Sequence, residues 1–147
     1  MHQYRCKIVK VVDGDTADVD IDLGFGVWLK KQRIRFYGID TPESRTSDKE
    51  EKPYGLAAKE FVLKYLPIGS DQVLVTIKDD ATGKFGRILG RFLLNDSLIE
   101  CDFLDELMIE RHLAVAYYGQ SKELIAEKHI ENRAYVTLPK KPLEGSM

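Results

Sequence analysis

The chain has 147 residues, with 22 Lys and Arg against 24 Asp and Glu, a formal net charge of −2 and a pI near 5.9. That length suits one domain able to bury a core without disulfide or metal staples. The slight acidic excess argues against a strong nonspecific nucleic-acid binder, which needs surplus cations to release counterions, so any phosphate contact must be local.

No apolar run is long enough to span a bilayer, and the N-terminus lacks the charged head, apolar run and small-residue cleavage site of an export signal. As it stands the sequence predicts a soluble, cytoplasmic protein, or a secreted one whose leader has been removed. Cys6 and Cys101 sit in strand-like runs and form no Cys-x-x-Cys pair. A bridge between them stays open, a metal–thiolate site is not indicated, and a reducing cytosol suits both.

In chain order, Tyr4 to Val12 reads as a strand that Asp13-Gly14-Asp15-Thr16 breaks as a turn. Ala17, Val19 and Ile21 then alternate with Asp18, Asp20 and Asp22, the period of a half-buried strand with one wet face. Leu23-Gly24-Phe25-Gly26 predicts a reversal into a third extended run, Val27 to Tyr37, which carries Lys30, Lys31, Arg33 and Arg35. Trp28 is expected in the core or covering the hairpin. After the Asp40 to Glu43 loop, the polar segment Ser44 to Pro53 is long enough for a mobile flap.

Tyr54-Gly55 leads into a helix with the apolar face Ala57, Ala58, Phe61, Val62, Tyr65 and Leu66, ended by Pro67 and Gly69. Val73, Val75 and Ile77 alternate as a fourth strand, Asp79 to Gly86 is a charged loop, and Arg87 to Leu94 is a fifth strand. Asn95-Asp96 looks like a hairpin turn into Ser97 to Phe103. Helical spacing of Leu104, Leu107 and Met108 marks a second helix to Leu113, and Ser121 caps a third running to about Asn132. The tail from Leu138, rich in Pro, Lys and Gly, is expected to be disordered, and its last residues resemble a cloning remnant. Five strands with helices inserted late predict an α+β domain over residues 1–137, built on a small closed barrel of the oligonucleotide-binding kind.

The chemistry concentrates in Arg35-Phe36-Tyr37-Gly38-Ile39-Asp40-Thr41-Pro42-Glu43. Pro42 fixes its own φ and holds Thr41 extended, so the acidic residues on either side sit on a stiff loop. Hard divalent cations take oxygen ligands, and calcium accepts a loose set of carboxylate, carbonyl and water. Asp15 and Asp40 would supply carboxylates, with the Thr41 carbonyl beside them and positions left for water and a phosphate oxygen. Arg35 and Arg87 are placed to meet the charge that gathers on equatorial oxygens in phosphodiester hydrolysis, and Glu43 to orient or deprotonate a water. Each piece alone has a duller reading, as a surface turn, a loop or a solvated cation. Their order and spacing together favour the functional one. His2, His112 and His129 show no ligand spacing, and His112 is expected to cap a helix or face solvent.

With Val12-Asp13-Gly14-Asp15-Thr16, Arg35, Ile39-Asp40-Thr41-Pro42-Glu43, Tyr54-Gly55, Lys84-Phe85-Gly86-Arg87 and Leu113-Ala114, the sequence resembles the staphylococcal nuclease-like (thermonuclease) family. The resemblance runs from about Tyr4 to Tyr118 and more faintly through the last helix. It implies a five-stranded oligonucleotide-binding barrel with about three helices and calcium-dependent endonucleolytic cleavage of DNA and RNA to 3′-phosphate ends. On that basis Asp15, Asp40 and the Thr41 carbonyl are calcium ligands, Arg35 and Arg87 phosphate clamps, and Glu43 the residue facing the attacking water. Lys84, Phe85 and Tyr117 fall at substrate-binding positions.

Departures from the family pattern bear on affinity. Phe85 stands where the family often has tyrosine, so a phenol hydrogen bond to phosphate is lost. Tyr117 fits a base-stacking role, Tyr118 comes one position too early to repeat it, and Asn95 to Asp105 is a few residues longer than usual. The expected substrate is single-stranded DNA or RNA, handled by a monomer with no membrane or protein partner. The competing readings are a noncatalytic nucleic-acid-binding module, whose acidic and arginine set would have decayed, and a structural subunit indifferent to metal.

Overall fold

Period-two patterning drives the first three strands. The computed structural model describes residues 2–77, 87–95 and 98–138, and places β1 (His2–Asp13), β2 (Thr16–Gly24) and β3 (Val27–Phe36) in an antiparallel meander. On β2, Ala17, Val19 and Ile21 are buried as their alternation predicts. The interleaved aspartates take partners on the wet face. Asp18 accepts two bonds from Arg33, at 2.8 and 3.1 Å. Asp20 accepts the Lys31 amide at 2.8 Å, and that bond, joined by the Lys30 ammonium, holds its carboxyl below the usual range. Phe25 turns the hairpin with φ 57° between two glycines of positive φ and is fully exposed.

A two-residue strand β4 (Ile39–Asp40) follows, then α1 (Lys52–Tyr65), β5 (Asp71–Thr76) and β6 (Ile88–Leu93). The barrel closes in the order β1-β2-β3-β6-β5, with every neighbour antiparallel except β3 and β6. That parallel seam pairs Ile34 with Ile88 and Arg35 with Leu89. α2 (Leu104–Glu110), β7 (Val115–Ala116) and α3 (Lys122–Asn132) complete the fold, and β7 pairs with β4 outside the barrel. This is the expected five-stranded barrel with three helices.

Ile8, Val19, Ile34, Leu74 and Phe92 fill the barrel, with Phe36 edge-on to Phe92 at a centroid distance of 5.3 Å. One end is covered by Ala58 and Val62 of α1 with Leu66 just past its end, and Leu104, Leu107 and Met108 of α2 are also buried. The α1 residues recur at helical intervals, so one face of the helix meets the sheet.

Several expectations change. α1 begins at Lys52 with proline in its first turn, so the polar segment is shorter than read, and it is tied down: Asp48 Oδ1 accepts the Glu50 and Glu51 amides at 2.9 and 3.3 Å. β5 buries Leu74 and Val75, not the Val73, Val75 and Ile77 set. The strand expected from Ser97 to Phe103 does not form among the described residues, since 98–102 is irregular and only Phe103 bridges, to Leu93. Trp28 is 40% exposed with the Lys30 ammonium 5.6 Å from its ring, and so is not core. Cys6 and Cys101 are both free. Ser121 caps α3 as predicted, accepting the Leu124 amide at 3.3 Å, yet this helix buries none of its own residues. Asp79 to Gly86 and the tail beyond Leu138 lie outside the described residues.

Candidate active site

Three short segments meet at one end of the barrel, the first of them remote in sequence from the other two. The first is the β1–β2 turn. Asp13 Oδ1 accepts the Gly14 amide at 3.0 Å and the Ser44 amide at 3.3 Å, binding this turn to the loop after β4. Gly14 is required there, because a Cβ would stand 2.8 Å from Ala58 Cβ and 2.9 Å from Thr41 Oγ1. The closeness lets Asp15 reach across: its Oδ2 accepts the Thr41 amide at 3.2 Å, its Oδ1 accepts the Thr16 hydroxyl at 3.0 Å, and its carbonyl accepts the Phe36 amide at 2.8 Å.

The second segment is the end of β3, where Arg35 pairs in register with Thr16. Arg35 Nη1 donates to the Phe36 carbonyl at 3.0 Å and lies 3.5 Å from Asp15 Oδ2, while Nη2 lies 3.7 Å from Asp40 Oδ1. The third segment is β4 and its loop, carrying Asp40, Thr41 and Glu43. Two carboxylates thus share one guanidinium, and the trio keeps a formal charge of −1. The side chains of Arg35 and Asp15 are only 16% and 14% exposed, so their charges act in a medium less polarisable than bulk water. Both contacts are ion pairs longer than good hydrogen bonds, which leaves carboxylate lone pairs free to accept another cation.

Glu43 is exposed, and its amide donates to Glu51 Oε2 at 2.9 Å, anchoring the loop to the start of α1. Arg87 immediately precedes β6, two residues before Leu89, the register partner of Arg35. Tyr117 follows β7, its amide donating to the Gly38 carbonyl at 2.8 Å and its side chain half-exposed. Lys84 and Phe85 lie outside the described residues. Asp15, Arg35, Asp40 and Thr41 are thus brought into direct contact, Glu43 and Tyr117 lie on adjoining loops, and Arg87 is linked through register.

Two residues without an assigned role belong to the same assembly. Asp13, noticed only as part of an acidic turn, is the brace between two site loops. His129 Nε2 on α3 lies 2.7 Å from Asp40 Oδ2 across 89 residues of sequence, a separation at which no spacing rule operates. His112, expected as a cap or surface residue, has φ 61° and stacks its ring on Tyr135 at 4.3 Å.

The donor set fits a hard divalent cation: Asp15 and Asp40 offer oxygen only, and Thr41, whose amide already bonds Asp15, follows Asp40 directly. Among the described residues no three His, Cys, Asp or Glu side chains form a metal cage. Two carboxylates would suit an ion that completes its shell with carbonyl, water and substrate oxygen.

Residues 33–137 match a family model described as staphylococcal nuclease homologue, a span that includes Arg35, Asp40, Thr41, Glu43 and Arg87 and begins after Asp15. A thermonuclease of Staphylococcus intermedius is 30% identical over 99 residues, covering 67% of this chain and 54% of the relative. A thermonuclease of Staphylococcus hyicus is 31% identical over 102 residues, covering 66% and 56%. A probable staphylococcal-like nuclease of Oryza sativa subsp. japonica is 36% identical over 118 residues, covering 78% and 30%. The chain spans little more than half the length of the two thermonucleases and about a third of the plant protein.

Proposed function

This chain belongs to the staphylococcal nuclease family, and on that premise we propose that it is a calcium-dependent endonuclease that hydrolyses DNA and RNA with low sequence specificity, leaving 3′-phosphate ends. The observation that carries the reading is Arg35 standing between Asp15 and Asp40, at 3.5 and 3.7 Å. A cation and two carboxylates from separate segments, partly shielded from water, are the groups needed to hold a divalent ion beside a phosphate.

Asp15, Asp40 and the Thr41 carbonyl would hold Ca²⁺, which when bound supplies Lewis-acid polarisation of the phosphate and neutralises charge. Arg35 and Arg87 offer forked donors to the equatorial oxygens, whose negative charge grows toward the transition state. Glu43 orients the attacking water and takes up its proton as oxygen bonds to phosphorus. The bond from phosphorus to the 5′-oxygen breaks, the 5′-oxygen acquires a proton from solvent, and the upstream fragment keeps the phosphate on its 3′-oxygen. Tyr117, Lys84 and Phe85 would bind the flanking nucleotide. The same reading has the protein act as a monomer on single-stranded or frayed substrate, in the cytoplasm unless a leader has been removed.

Incubating denatured DNA with the protein in calcium or in chelator, then identifying the product ends, tests this directly. Calcium-dependent fragments that a polymerase extends only after phosphatase treatment are expected. Binding without cleavage in either condition would favour a noncatalytic module.

A further inference from the structure

α3 lies beside the β4–β7 pair, outside the barrel, without burying any of its own residues. Its seat is polar: Asn132 Nδ2 donates to the Ala114 carbonyl at 3.4 Å, and His129 Nε2 meets Asp40 Oδ2 at 2.7 Å. The His129 contact is the shorter, and the His129 side chain is only 11% exposed. A carboxylate can only accept, so Nε2 carries the proton and donates. Nδ1 is buried and has no hydrogen-bond partner among the described residues, so Asp40 is what orients the ring.

The two oxygens of Asp40 therefore have different tasks. Oδ2 is held by His129, while Oδ1 faces the Arg35 guanidinium at 3.7 Å, on the side where Asp15 also lies. An aspartate on a two-residue strand, half-buried but held only loosely by Arg35, would otherwise sample other rotamers. We propose that His129 is a positioning residue, which fixes the Asp40 carboxylate from α3 so that Oδ1 is presented to the divalent cation. It does not touch the cation or the substrate. The inference rests on the reading of Asp40 as a metal ligand, and makes the last helix part of the cation site.

Partners that orient metal-binding groups in this way are worth about 10- to 100-fold in metal affinity. Calorimetric titration of calcium into the whole chain tests it, with wild type, Asp40→Asn, His129→Ala, His129→Gln and Asn132→Ala compared and the apo melting temperature of each recorded. His129→Ala should weaken calcium binding about 10- to 100-fold. His129→Gln, whose amide can still donate to Oδ2, should bind close to wild type. Asn132→Ala, which removes only the long 3.4 Å bond to the Ala114 carbonyl and leaves the His129–Asp40 contact in place, should keep wild-type affinity. If His129→Ala binds as wild type, if His129→Gln is as weak as His129→Ala, or if Asn132→Ala is equally weak, the positioning role is overturned. An undiminished Asp40→Asn, or a wild type that takes up no calcium, would instead bring down the metal-ligand reading and this inference with it.

Discussion

Gly55 lies so close beneath Glu43 that a Cβ on it would collide with the Glu43 carbonyl and stand 2.6 Å from the Ser44 amide nitrogen. The first turns of α1 are thus laid directly on the loop that carries the proposed water-orienting carboxylate. In an exposed helix, Gly→Ala stabilises by about 1 kcal/mol. Here the obstacle is backbone, which cannot swing aside, so Gly55→Ala is expected to destabilise by roughly 1–3 kcal/mol instead. It should also lower turnover by displacing Glu43. Urea denaturation and steady-state cleavage give the two numbers, and a stabilised variant with full activity would contradict the packing argument.

Arg35 spans two carboxylates with two different nitrogens. Lysine retains the charge but offers one nitrogen, so it can meet only one of them and loses forked contact with phosphate. Arg35→Lys is therefore expected to lose about 10²- to 10³-fold in turnover. Circular dichroism should show the barrel intact.

Asp15 and Asp40 share the Arg35 guanidinium, so any ion that binds both carboxylates favours the folded chain by mass action. Calcium at 100 times its dissociation constant would add about 2.7 kcal/mol. Thermal denaturation should show a rise in melting temperature with millimolar calcium that is lost in Asp15→Asn and Asp40→Asn.

The two thiols make a separate prediction. Burial pushes Cys6 up to about 12, and the Cys6 side chain is shut inside the barrel. Its hydrogen bond to Glu110 Oε2, at 3.0 Å, pushes Cys101 up to about 11. The thiolate is the nucleophile, so both should react slowly with a disulfide reagent at pH 8 in the folded protein and quickly in denaturant. Glu110→Gln should speed Cys101 alone. Between the ordinary thiol value of 9 and these raised values the folded chain keeps protons that the unfolded chain has lost. By linkage, stability should fall as pH rises from about 9 to 12.

What the sequence made legible was local. Ala17, Val19 and Ile21 report their own face because strand alternation needs no distant partner, and Ser121 caps α3 from three residues away. The stiff Asp-Thr-Pro-Glu turn was likewise readable, since proline restricts its neighbours wherever it occurs. Contacts made by closure were not. The parallel seam between β3 and β6 depends on how the barrel shuts, and the reach of His129 to Asp40 on how α3 docks beside the β4–β7 pair. For Trp28 the sequence left core and hairpin cover open, and only closure decides: it lies toward the turn end of the β2–β3 hairpin, beyond what the barrel covers.

The account depends on Asp40 and Glu43 serving cleavage and not merely the fold. The most direct measurement is the rate of hydrolysis of denatured DNA at saturating calcium by wild type, Asp40→Asn and Glu43→Ser, each shown to be folded. Losses of several orders of magnitude in both variants are predicted. Wild-type rates in either would contradict the assignment of these residues as the place where the phosphodiester is cut.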